Sequence, residues 1–303
     1  MPHDHQHSSH QHAGTPAPNR NGIFAAAIAL NLGFTGIEFV YGFIAQSSAL
    51  MADAGHNLSD VLGLVLAWGG ALLARKAPDY RFTYGLRGST ILAALGNAMF
   101  LMLVCGAIGW DAIGRLADPP EVASTTVMVV AAIGVVINTA SAWLFVKGSK
   151  GDLNIRGAFL HLAADAVVSV GVVIAGLAIL WTGWNWLDPV TSLAINAVIV
   201  YGTWGLLRQA LKLALQGVPP HVDLREVEAE LCAVDGVAGL HDLHVWAMST
   251  TETALTAHLV MPAGHPGDER LDAIAALLKE RFNIHHSTLQ VEHDPGDHAC
   301  SLQ

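Results

Sequence analysis

Six apolar stretches, each near the ~20 residues that a helix needs to cross a bilayer, constrain this chain more than anything else in it. They run at about Gly22–Ala45, Ala49–Ala74, Ser89–Ile113, Val122–Val146, Phe159–Trp181 and Pro189–Leu211. Hydrocarbon offers no hydrogen-bond partners, so a single apolar segment satisfies its backbone there only as a helix. Composition agrees: 52% of residues are apolar and 13% charged, against about a quarter charged in soluble domains. The expected fold class is an α-helical membrane protein, a six-helix transmembrane bundle with a soluble part after it.

Basic residues set the orientation. Arg20 precedes the first stretch, Arg75, Lys76, Arg81 and Arg87 flank the loop after the second, and Lys147, Lys150 and Arg156 the loop after the fourth. Arg208 and Lys212 close the sixth, whereas the opposite loops hold only Arg115 beside Asp118, Glu121 and Asp188. Both termini are therefore expected in the cytoplasm. The start lacks the layout of a cleavable signal peptide, so the first span is expected to be retained.

The polar material divides the rest. Residues 1–18 are a low-complexity tail carrying His3, His5, His7, His10 and His12, unable to bury a core and expected to be disordered. The bundle is expected over 19–216. The segment 217–303 reads as helix Val222–Ala233, strands Leu240–Met248 and Thr253–Met261, helix Asp268–Phe282 and strand Ser287–Glu292, an αββαβ order suited to a small open-faced α/β sandwich that could dimerise through its sheet. From Gln216 onward the chain has 14 acidic and 4 basic residues, which accounts for the whole net charge of −10. That balance disfavours nucleic acid as a partner. Three cysteines, Cys105, Cys232 and Cys300, show no spacing of a disulfide framework or a CxxC site.

Chemistry concentrates in one repeated phrase. His56 and Asp60 in the second stretch, and His161 and Asp165 in the fifth, are each four residues apart and so share a helix face. A carboxylate at the bilayer centre costs about 2.5–3.5 kcal/mol on insertion scales, so such groups are rare and usually functional. Two such helices can jointly offer a closed N₂O₂ cage suited to Zn²⁺; the alternative is polar glue between helices. Protons compete with metal for these ligands, which suits an exchange of one for the other. Asp53, one turn before His56, could orient that histidine or relay protons, and Glu38 in the first stretch could handle protons or only pack. In the tail, His241, His244 and His258 lie on the predicted strands, with Glu292, His293 and Asp294 after the last; a cytosolic metal site and scattered surface histidines are both open. His241 and His244 differ in parity, so one site is expected to use only one of them.

Several of these motifs together resemble the cation diffusion facilitator, or cation efflux, family. They are the run from Ser48 through Ala54-Gly55-His56-Asn57-Leu58-Ser59-Asp60, Arg81-Phe82-Thr83-Tyr84-Gly85, His161 with Asp165, Asp188-Pro189, Gly217-Val218-Pro219 and His244-Val245-Trp246. The likeness covers nearly everything after the His-rich tail. It implies a homodimeric metal/proton antiporter with six spans and a cytoplasmic ferredoxin-like domain of metallochaperone type, and His56, Asp60, His161 and Asp165 as ligands at the transport site. Histidine at position 56 resembles the zinc-preferring branch. His241, His258 and the stretch Glu292–Asp294 align with cytoplasmic metal positions, Glu292 standing where some relatives have histidine. Some relatives carry a metal site in the loop after the second span; Asp79 to Gly85 contains no histidine, so none is expected there.

The expectation is a zinc efflux antiporter of a bacterial inner membrane, with Zn²⁺ and protons as its transported partners, the bilayer as its surroundings and no prosthetic group. Cd²⁺, Co²⁺ or Ni²⁺ are alternative cargoes, because ligand type separates these ions poorly. Two rivals from other classes are an intramembrane metallo-hydrolase and a membrane metal sensor. The first conflicts with the chemistry: the chain has no HExxH, and four ligands around zinc leave no open position for water.

Overall fold

A computed structural model describes residues 20–146 and 153–294. The His-rich tail, Lys147, Lys150 and Cys300 lie outside the described residues. Six long helices come first, α1 (Arg20–Ile44), α2 (Ser48–Ala74), α3 (Ser89–Ala117), α4 (Ser124–Val146), α5 (Leu153–Thr182) and α6 (Leu187–Ala214). Then follow α7 (Leu224–Cys232), β1 (Gly239–Ala247), β2 (Thr253–Val260), α8 (Asp268–Phe282) and β3 (Ile284–Glu292). Helices α2 to α6 are long and apolar enough to span a membrane, and α1 is apolar from Ala29 to Ile44. Their large side chains point outward: Trp68, Leu103, Trp143 and Val167 are 67%, 70%, 76% and 70% exposed. Such surface is stable only in lipid. The described residues divide into two compact units, 20–54 with 121–146 and 153–188, and 55–120 with 189–294.

In the first unit α4 and α5 form the most extensive helix pair. Small residues let the helices approach: a Cβ on Gly176 of α5 would meet Met128 Cγ of α4 at 2.8 Å, and one on Gly134 of α4 would meet the Phe34 ring of α1 at 2.9 Å. Close approach at small residues is how membrane helices gain packing energy where lipid tails are as apolar as their own side chains. The start of α2 is capped from far along the chain. Asp188 accepts from Ser47 Oγ at 2.5 Å and from the Ser48 backbone N–H at 2.6 Å.

In the second unit α2 and α3 meet along a glycine seam. A Cβ on Gly55 would lie 3.0 Å from Val104 and Ile108, one on Gly63 2.7 Å from the Asn97 amide, and one on Gly70 3.1 Å from Ala93 and Ser89 O. Ser89 Oγ donates to Gly70 O at 2.7 Å, tying together the loop ends of the hairpin. In the connecting loop Asp79 Oδ1 accepts from the N–H groups of Arg81 and Phe82.

The remainder of this unit is a three-stranded sheet of order β1-β2-β3, with β1/β2 antiparallel and β2/β3 parallel. Helices α7 and α8 supply Val227, Leu231, Ile274, Leu278 and Phe282 to a core with Leu255 and Leu259. A fully buried side chain of this size is worth about 1.5–3 kcal/mol, enough for such a core to fold a small domain. Asp223 caps α7 through the Arg225 N–H, and Asn283 closes α8 in a left-handed conformation at φ 57. The β1-β2 connection meets the α2-α3 loop, where Glu252 pairs with Arg87 and the Thr250 N–H donates to Thr90 Oγ1 at 3.1 Å.

The sequence places these elements within a few residues of where they lie. Among the displaced boundaries are α5, which begins at Leu153 rather than Phe159, α3, which ends at Ala117 rather than Ile113, and β3, which begins at Ile284 rather than Ser287. His285 and His286 are polar and exposed, so alternation alone does not reveal them as strand.

Candidate metal centre

His56 and Asp60 lie one helical turn apart on α2, with His56 Nε2 3.6 Å from Asp60 Oδ2 and both side chains partly buried. His161 and Asp165 on α5 repeat the arrangement, again at 3.6 Å from Nε2 to Oδ2, with Asp165 almost wholly buried. Two donor atoms on a tetrahedral Zn²⁺, each about 2.0–2.2 Å from the ion, stand about 3.3–3.6 Å apart. Each pair therefore has the bite of half a zinc site.

Asp53, one turn before His56, is fully buried and accepts from Ser169 Oγ on α5 at 2.9 Å. Ser169 lies one turn beyond Asp165 on the same face of α5. The sequence did not single it out, because a serine inside an apolar helix carries no signal of its own. Glu38 of α1 is also fully buried. Asn196 of α6 has neither amide atom hydrogen-bonded among the described residues.

A second constellation sits on the sheet. His241, His258 and Glu292 bring one ligand atom each within 4.8 Å of one another. His241 Nε2 stands 2.9 Å from Glu292 Oε2, and His258 Nδ1 stands 3.0 Å from Glu292 Oε1. Strand pairing sets His241 directly against His258, while on β3 Gln290 stands opposite His258 and Glu292, two residues on, opposite Val260, so the Glu292 carboxylate reaches the pair diagonally. The hydrogen bond from His241 lowers the Glu292 carboxyl below its ordinary range. Asp294 is exposed and outside this three-residue group.

Asp242, which the sequence reading did not single out, also reaches this group. The register of β1 shifts between His241 and His244, and Asp242 takes a left-handed φ of 53 there. A bulge of this kind re-aims the side chain it carries. Asp242 Oδ2 reaches His258 Nε2 at 3.5 Å and Oδ1 reaches His244 Nε2 at 3.0 Å. His244 is therefore linked to the group through Asp242. A polar residue within a strand pattern gives no sign of a bulge.

Residues 24–213 match the cation efflux transmembrane domain, and residues 219–294 the cytoplasmic domain of cation efflux proteins. The chain is 37% identical to the metal cation efflux system protein CzcD of Cupriavidus metallidurans, over 97% of this chain and 92% of that protein. It is 35% identical to the zinc transporter ZitB of Escherichia coli, over 97% and 94%. To the cadmium, cobalt and zinc/H(+)-K(+) antiporter of Bacillus subtilis it is 32% identical, over 88% and 87%. Among solved structures, the metal-bound C-terminal domain of the CzcD transporter is 42% identical over 23% of this chain and 99% of that one, with a TM-score of 0.22.

Proposed function

The chain belongs to the cation diffusion facilitator (cation efflux) family of divalent-metal exporters, and on that premise we propose that it expels zinc in exchange for protons. It is a multi-pass membrane transporter with a cytoplasmic C-terminal domain, not an enzyme. In the proposed cycle His56, Asp60, His161 and Asp165 together hold one Zn²⁺ as cargo. Cytosolic metal enters when the site faces inward, the bundle rocks, and protons arriving on the far side displace it, the general logic of alternating access.

The observation that carries this reading is the Asp53–Ser169 hydrogen bond, which sets α2 against α5 one turn from each ligand pair. Spans three apart run antiparallel. At 1.5 Å per residue, His56 and Asp60 then fall about 4.5 and 10.5 Å from that hydrogen bond, and Asp165 and His161 about 6 and 12 Å, on the same side of it. Each pair lies on the face that Asp53 or Ser169 marks on its own helix, which supports the reading that the two 3.6 Å half-sites share one ion. Two imidazoles and two carboxylates suit Zn²⁺ and leave no fifth position for water, which favours carriage over hydrolysis. The names of the relatives accord with this, ZitB as a zinc transporter and the Bacillus subtilis protein as a zinc antiporter that also takes cadmium and cobalt. The cadmium and cobalt in the latter name support those ions as secondary cargoes.

The remaining roles follow. Neutral histidine is needed for binding, so protonation of His56 and His161 releases metal. Glu38 is assigned to proton handling and Asp53 to positioning. His241, His258 and Glu292 form a cytoplasmic site for the same metal, with Asp242 now joining them and Asp294 at its margin. The protein is assigned to a bacterial inner membrane as a homodimer, both termini cytoplasmic, with a bundle over 19–216 and a cytoplasmic domain over 217–303.

Zinc uptake into inside-out vesicles under an imposed pH gradient tests this reading. Wild-type protein is expected to accumulate Zn²⁺ only with the gradient, and Asp165→Ala to lose that flux while retaining its fold. Undiminished flux in Asp165→Ala, or uptake indifferent to the gradient, would refute it.

A further inference from the structure

We propose that the Asp53–Ser169 hydrogen bond is a positioning clasp that sets the transporter's preference for Zn²⁺ over the larger Cd²⁺. This rests on the four-ligand reading above and adds two residues that touch no metal. The geometry is specific. Ser169 Oγ and Asp53 Oδ2 are 2.9 Å apart, and both side chains are fully buried. The bond joins α2 to α5 one turn from each ligand pair, so on the four-ligand reading its length sets how far apart the two halves stand.

The surroundings leave that length little freedom. A Cβ on Gly134 of α4 would lie 3.3 Å from Ser169 Oγ and 2.9 Å from the Phe34 ring of α1, so only glycine leaves room there. Four helices thus meet at the level of the clasp, three residues before His56 and four after Asp165. The start of α2 is itself held by Asp188 through Ser47 and Ser48, so α2 cannot slide to compensate. A cage of two nitrogens and two oxygens at about 2.0–2.2 Å favours zinc only while its halves stay at that spacing. Partners behind a metal site commonly change affinity by about 10–100-fold when removed. Releasing the clasp is expected to let the halves part and so to weaken Zn²⁺ more than Cd²⁺.

The test uses the full-length protein in proteoliposomes with Zn²⁺ and Cd²⁺ as alternative cargoes. Ser169→Ala and Asp53→Ala are each expected to raise KM for Zn²⁺ about tenfold, with Vmax little changed and the Zn²⁺/Cd²⁺ preference reduced. The double variant should be no worse than either single change, since both break one bond. Ser169→Thr and Ser169→Val have the same shape and differ only in the hydroxyl. Thr is expected to keep the wild-type ion preference and Val to lose it. Equal behaviour of Thr and Val, or single-variant effects that multiply in the double, would overturn the clasp. Asp165→Ala serves as the reference: if it transports normally the four-ligand reading fails, whereas if it is inactive and Ser169→Val is like Ser169→Thr only the clasp fails.

Discussion

Asp188, at the start of α6, holds the first turn of α2 by accepting from Ser47 Oγ at 2.5 Å and from the Ser48 backbone N–H at 2.6 Å. Asp188 is 2% exposed and both serines are fully buried. A carboxylate 140 residues away thus does for α2 what an N-cap side chain usually does locally.

Removing that cap should cost stability. Asp188→Ala leaves a buried N–H and a buried hydroxyl without their acceptor, a loss of about 1–3 kcal/mol. Asp188→Asn keeps one acceptor oxygen and should lose less. Thermal unfolding of the purified protein in detergent checks the order wild type, Asn, Ala; an Ala variant as stable as wild type would remove Asp188 from this role.

Glycines in the second unit should differ sharply in tolerance. Gly85 has φ +69, and a Cβ there would stand 2.7 Å from the backbone oxygen of Lys76. Gly85→Ala meets both left-handed strain of about 1–2 kcal/mol and a contact that cannot swing away. A Cβ on Gly63 meets only the amide end of Asn97, also at 2.7 Å, which can rotate. Gly63→Ala is therefore expected to lower the melting temperature less than Gly85→Ala, and the reverse order would show that the seam is tighter than its contacts imply.

His258 is the centre of the cytoplasmic group, since it approaches both Glu292 Oε1 at 3.0 Å and Asp242 Oδ2 at 3.5 Å. In protein already carrying Asp165→Ala, His258→Ala should weaken the remaining zinc binding at least about tenfold, and Asp242→Asn should weaken it by less. Competition titration with a zinc-responsive dye measures both. Unchanged affinity in His258→Ala would exclude the group as a metal site.

The pH dependence of the same group has a defined sign. The hydrogen bond from His241 lowers the Glu292 pKa, so its contribution to stability is present above the unfolded carboxyl value of about 4.3 and is lost as pH falls through the lower folded value. Glu292→Gln should therefore narrow its stability gap to wild type only in that acid range. A stability gap that closes already near pH 6 would contradict this assignment.

The long elements were legible because they are set by length and hydropathy: an apolar run such as that from Ser89 to Ile113 has no stable state in lipid but a helix. The ligand pairs were legible for the same reason, since His56, Asp60, His161 and Asp165 stand out against apolar surroundings. What stayed hidden depends on tertiary neighbours. Ser169 matters through Asp53, Asp188 through residues 140 positions away, and Asp242 through a bulge that shifts the register of β1. None of these leaves a periodic trace along the chain.

The central claim is that two half-sites enclose one ion, and zinc K-edge X-ray absorption tests it most directly. The sample is full-length protein with His241→Ala and His258→Ala, loaded with zinc. The account predicts one zinc per chain with two imidazole nitrogens and two carboxylate oxygens at about 2.0–2.2 Å. A zinc shell holding a single imidazole, or two zinc ions per chain, would contradict it.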